Sequence, residues 1–177
     1  MTLRQSSTSD CITFRISVNN LDLLVKESQS KQVSLNTLAK QIVNEHFNWH
    51  SRAAQAKLHY WPKSFLIRVI NQLTNEQLCE LARNTAKNDL VDVSLFLRGE
   101  FTIASLSNIA ETWLRISQMP YRCEVNADFF KIIIEHDMGY KYSYLIKEIS
   151  RYLLDVAFGA NTSCDITDNS VVIKLHS

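Results

Sequence analysis

Few side chains in this 177-residue chain stand in the patterns that chemistry requires. Glu135, His136 and Asp137 follow one another directly. They are the parts of a proton-transfer site, but such a site needs a convergent geometry that adjacency along a chain does not supply. The plainer reading is a polar loop between a strand and a helix. His46 and His50 lie four apart, which sets two imidazoles on one helical face and can begin a metal site. No third ligand at a fixed spacing completes it. Cys11, Cys79, Cys123 and Cys164 are scattered and form no CxxC pair, so a structural zinc of the usual spacing is not expected. The chain carries no P-loop, GxGxxG, GxSxG or HExxH motif, and three glycines leave little backbone for a phosphate cradle. No catalytic residue, metal or cofactor is expected, and the chain reads as a non-enzyme.

The elements that would position functional groups begin at residue 11. Ile12, Phe14 and Ile16 alternate with Cys11, Thr13, Arg15 and Ser17, the pattern of a short strand with one apolar face. A lone strand of this length cannot satisfy both edges or bury its apolar side. Pairing with the same strand of a second copy would solve both problems, so a dimer is expected. Two helical patterns follow. The first holds Leu21, Leu24 and Val25 behind Ser17 as cap; the second holds Leu35, Leu38, Ala39, Ile42, Val43 and His46 behind Ser34.

The run TFRIS, a helix containing LDLLV, a short turn and SLN opening a second helix together resemble the ribbon-helix-helix fold of Arc/MetJ-like repressors over roughly the first 50 residues. That resemblance implies an antiparallel ribbon entering the DNA major groove, with outward strand residues reading base edges. The readers would be Cys11, Thr13 and Arg15, with Arg15 able to engage guanine through two parallel hydrogen bonds. It also implies a phosphate held at the start of the second helix by Ser34, Leu35 and Asn36, where unpaired amides and the helix dipole favour an anion. One departure is the turn Lys31-Gln32-Val33, which lacks the glycine that the family often has there.

Charge supports a division of labour. The net charge is only +1, but residues 1–63 sum to +4 and residues 64–177 to −3. A basic head on a mildly acidic body suits a DNA-binding module joined to one that does not touch DNA. The polar stretch 1–10 lacks the apolar core of a secretory leader, and no apolar run approaches the ~20 residues of a membrane span. A cytoplasmic protein with reduced thiols and no membrane partner is expected.

Residues 51–63 read as a linker, ending near Pro62. Trp49, Tyr60 and Trp61 with Arg52, Lys57 and Lys63 suggest either contact with nucleic acid or, more plainly, aromatic packing between domains. From 64 to 119 the pattern is helical, with a capping box at Thr74 to Gln77 and a stop at Gly99. After Pro120 the period changes to two, then to a helical stripe of Tyr142, Leu145, Ile146, Ile149, Leu153 and Val156, then to two strands about an Asp168-Asn169 turn. The expected fold class is α+β: a ribbon-helix-helix domain over 1–50, a linker over 51–63, and a helical segment with a ββαββ unit over 64–177. The expected function is a sequence-specific transcriptional regulator that binds double-stranded DNA as a dimer or higher oligomer. Its C-terminal domain would sense a small-molecule effector or drive oligomerisation: an enclosed cavity lined by Tyr or Trp with a few polar groups favours sensing, and a flat apolar face shared between copies favours assembly. An antitoxin-type interaction module is the alternative, and a small enzyme the third reading.

Overall fold

The computed structural model describes residues 12–126 and 128–176. The chain divides into two compact units, Met1–Asn48 and Trp49–Ser177.

In the first unit two helices are set by their caps. Helix α1 (Val18–Ser30) begins where the Ser17 hydroxyl accepts the Asn20 amide, and α2 (Leu35–Glu45) where Ser34 accepts the Thr37 amide at 3.0 Å. The turn between them closes without glycine. Gln32 takes φ +54°, and the Val33 amide bonds back to the Ser28 carbonyl at 3.0 Å, so a polar residue carries the left-handed position at modest cost.

The expected ribbon is absent, and the ribbon-helix-helix head is corrected to a pair of helices. Residues 12–17 form no strand, and Ile12, Phe14 and Ile16 stand exposed. A ribbon exists only through a second strand that exchanges backbone hydrogen bonds with the first, and none of the described residues supplies one. Cys11 lies outside the described residues. The charge partition changes too. With the division at Asn48 the first unit carries a net +1 and the second is neutral, because Arg52, Lys57 and Lys63 belong to the second.

The second unit opens with a short helix α3 (Ser51–Gln55), then α4 (Lys63–Gln72), α5 (Asn75–Asn84), α6 (Leu90–Arg98) and α7 (Ile103–Ile116). Local chemistry sets their ends. Thr74 and Gln77 form a reciprocal capping box on α5, Thr102 and Ser105 one on α7, and Gly99 at φ +76° ends α6 in a left-handed cap. Strands β1 (Tyr121–Val125) and β2 (Phe129–Glu135), helix α8 (Tyr140–Arg151), and strands β3 (Asn161–Ile166) and β4 (Ser170–His176) complete the chain. The four strands make one antiparallel sheet of order β1-β2-β4-β3. Ile132 pairs with Ile173 and Phe130 with Leu175, so the alternate side chains of β2 and β4 form one apolar face. Lys141 on α8 donates to the carbonyls of Asn71 (2.9 Å) and Leu73, tying α8 to the end of α4.

Three π-helical turns interrupt the helices among the described residues, at His46–His50, Thr85–Asp89 and Tyr152–Ala157. Such turns are rare and concentrate at functional sites.

Candidate ligand-binding cavity

The buried apolar residues of the second unit gather into groups bridged by half-buried Trp113 and Met119. There are four groups: Trp49 with Ala53, Leu97 and Ile109; Ile70 with Leu78, Met138 and Tyr142; Ala86 with Leu106 and Leu153; and Leu114 with Ile132 and Ile134. Protein interiors normally leave voids no larger than a water molecule. Here a hollow of about 500 Å³, partly open to solvent, lies between the helices and the apolar face of the sheet. That is the size range of small-molecule sites.

Its walls follow from the periodicities. Tyr142, Leu145, Ile146 and Ile149 come from one stripe of α8; Phe130, Ile132, Ile134, Ile173 and Leu175 from alternate positions of β2 and β4; Ile109, Ala110, Trp113 and Ile116 from α7. Each π turn also delivers to the wall: Trp49 from the first, Thr85 from the second, Leu153 and Leu154 from the third. Many of these apolar side chains, Leu145, Ile146, Ile149, Phe130 and Ile173 among them, are only half-buried. Full collapse would remove them from water at ~25 cal/mol per Å². Among the described residues, Glu111 is the one formally charged residue in the wall.

A second cleft of about 820 Å³, which carries charged groups, shares His59, Tyr60, Trp113, Ser117 and Tyr142 with the hollow. Lys63, Glu135, His136, Asp137, Asn169 and Ser170 also line it. Lys63 Nζ lies 3.5 Å from the Asp137 carboxylate across an exposed gap.

The structure takes apart the Glu135-His136-Asp137 group. His136 is buried, while Glu135 and Asp137 are exposed. The His136 Nδ1 accepts the Met138 amide at 3.1 Å, so the proton sits on Nε2, which donates to Ser143 Oγ at 2.8 Å. Ser143 Oγ in turn donates to the Thr167 carbonyl at 2.6 Å. Burial, reinforced by the Lys63 charge, lowers the His136 pKa and keeps the ring neutral. Both ring nitrogens are used, and His136 is a positioning residue between α8 and the sheet. Tyr142, whose ring packs edge-on against His136, has its pKa pushed up to about 12 by burial and stays a hydrogen-bond donor.

The other residues singled out from the sequence fall as follows. Thr13 and Arg15 lie on the exposed irregular stretch before α1, with no ladder to align them, and Cys11 is outside the described residues. Ser34 caps α2, and Leu35 and Asn36 occupy its exposed first turn. His50 Nδ1 meets the Tyr60 hydroxyl at 3.0 Å, and no group of three or more metal-ligating side chains converges among the described residues. Trp49 is buried, Tyr60 and Trp61 are exposed, and Trp61 stacks on Phe65. Arg52 donates to the Leu97 carbonyl at 2.8 Å. Arg52 and Lys63 therefore have partners within the second unit. No described helix is long and apolar enough to cross a membrane.

The cavity was not foreseen. The apolar stripes of α7 and α8 and the strands over 129–135 and 171–175 are visible in the sequence, but the space left between them is not. The π turns break the 3.6-residue period and leave no local signature. Comparison with known proteins adds no relative: no family model matches the chain, and no curated protein matches it.

Proposed function

We propose that the second unit is a receptor for an apolar small molecule and that the whole chain is a ligand-responsive DNA-binding regulator. One observation carries the reading: a 500 Å³ apolar hollow, walled by α6, α7, α8, the sheet and all three π turns, and sharing five lining residues with a cleft that carries charged groups. Filling a concavity with walls this apolar would take its half-buried side chains out of water, which favours an apolar occupant. Of the two roles a C-terminal domain can have in a regulator, sensing and assembly, the cavity favours sensing.

The DNA-binding half of the proposal belongs to the first unit. Arg15 is exposed ahead of α1, and the first turn of α2 presents the Leu35 and Asn36 amides beside Ser34. This unit self-associates in the proposal. Leu38 is its one fully buried large apolar residue among those described, while Phe14, Leu23 and Phe47 are each about 65% exposed. A unit this small gains too little from its own core and needs further burial.

Two measurements test the two halves. Naphthalene, a compact neutral probe, should change the fluorescence of Trp113 saturably and raise the melting temperature; no saturable response sinks the receptor reading. Anisotropy of a duplex from upstream of its own gene should show binding that weakens with salt. Arg15→Ala should cost ~1–3 kcal/mol on that duplex and spare a scrambled one. Equal binding to both duplexes, unchanged in the variant, refutes the regulator reading. A mass of one chain in solution refutes self-association.

A further inference from the structure

We infer that the ligand is a long-chain amphiphile with an uncharged head: its chain fills the apolar hollow and its head hydrogen-bonds at Tyr142, where hollow meets cleft. The inference rests on the receptor reading above and names the ligand class.

The apolar part follows from the wall, whose lining is aliphatic and aromatic over most of its extent. The polar part follows from the junction. Tyr142 lines both spaces and is 7% exposed, and its hydroxyl has no hydrogen-bond partner among the described residues. The hydroxyl is not an enclosed atom, so solvent reaches it, and a ligand oxygen placed there would exchange a bond to water for one to the protein. Ser117 and His59, also common to both spaces, widen the choice of hydrogen-bonding atoms for the head.

The absence of head charge follows from a count of the facing groups. Glu111 in the hollow and Glu135 and Asp137 in the cleft are carboxylates; among the described residues Lys63 is the one lysine or arginine lining either space, and it already faces Asp137 at 3.5 Å. His136 is committed through both ring nitrogens, and His59 is exposed. A carboxylate or phosphate head would enter a site with an excess of negative charge and no free cation to meet it, and its desolvation would go uncompensated. A hydroxyl or carbonyl head meets no such penalty.

The test uses the full chain and three kinds of probe: a series of straight-chain alcohols from octan-1-ol to tetradecan-1-ol, the carboxylates of matching chain length at pH 8, and naphthalene. Tryptophan fluorescence and calorimetry report binding. Alcohols should tighten about fourfold per methylene until the hollow is full. Each carboxylate should bind at least tenfold more weakly than the alcohol of its length. Tyr142→Phe, which keeps the ring, should weaken the alcohols about five- to tenfold and leave naphthalene unchanged. Glu135→Gln with Asp137→Asn should recover carboxylate binding severalfold without changing the alcohols. The Asp137→Asn step is mild for the backbone, because Asp137 sits at φ +50°, a region asparagine tolerates. Naphthalene binding without alcohol binding leaves the receptor reading standing and overturns the amphiphile. Carboxylates equal to alcohols overturn the uncharged head. An unaffected Tyr142→Phe overturns the placement of the head, and failure of every probe removes both readings together.

Discussion

Ser143→Ala is the sharpest test of how the second unit is held in register. Ser143 is fully buried and its hydroxyl works in two directions, accepting from His136 Nε2 at 2.8 Å and donating to the Thr167 carbonyl at 2.6 Å. Deleting the oxygen leaves the His136 N–H unpaired where the side chain is only 3% exposed, a penalty of ~1–3 kcal/mol. The lost bond to Thr167 adds about 1 kcal/mol or less, because that residue reaches water. The expected loss is about 2–3 kcal/mol, or roughly 6–12 °C in melting temperature for a unit of this size. Ser150→Ala is the matched control. Its hydroxyl bonds the Ile146 carbonyl at 2.9 Å, which the helix ladder also serves, so its removal should stay within ~0.5 kcal/mol. Urea denaturation followed by tryptophan fluorescence isolates the right unit, since Trp49, Trp61 and Trp113 all lie in it. A Ser143→Ala loss no larger than that of Ser150→Ala would mean that His136 is not held as described.

Two further outcomes follow from the same geometry. The folded pKa of His136 lies below the usual histidine value near 6.5, so the unfolded chain takes up a proton that the folded chain refuses. Stability from the neutral ring is therefore complete above pH about 6.5 and declines as pH falls towards the folded pKa; between pH 7.5 and 5.5 the decline should flatten in His136→Gln, and an unchanged slope contradicts the assignment. Thr74→Ala removes half of the capping box on α5 and should lower stability by ~1 kcal/mol, read as a shift in urea midpoint at constant slope.

The sequence by itself determined the pieces whose causes are local. Ser17, Ser34 and Thr74 announce helix starts because a short side-chain oxygen three residues ahead of an amide can accept it wherever it occurs. Gly99 ends α6 because a left-handed residue is needed there, and the change of period after Pro120 marks the passage from helix to sheet. The apolar run 129–135 marks a strand. Tertiary structure decided everything that depends on a partner distant in sequence. The alternation of Ile12, Phe14 and Ile16 reads as a strand, but a strand is a relation between two segments, and no described segment pairs with it. Glu135, His136 and Asp137 are neighbours along the chain, yet packing buries the histidine against Ser143 and leaves both carboxylates in water. Arg52 and Lys63 add to an apparent basic head until folding assigns them to the second unit, to Leu97 and Asp137. The hollow belongs to this second class. Every residue of its wall has an ordinary reason to be apolar, and only the distances among α7, α8, the sheet and the three π turns decide whether those residues meet or stand apart.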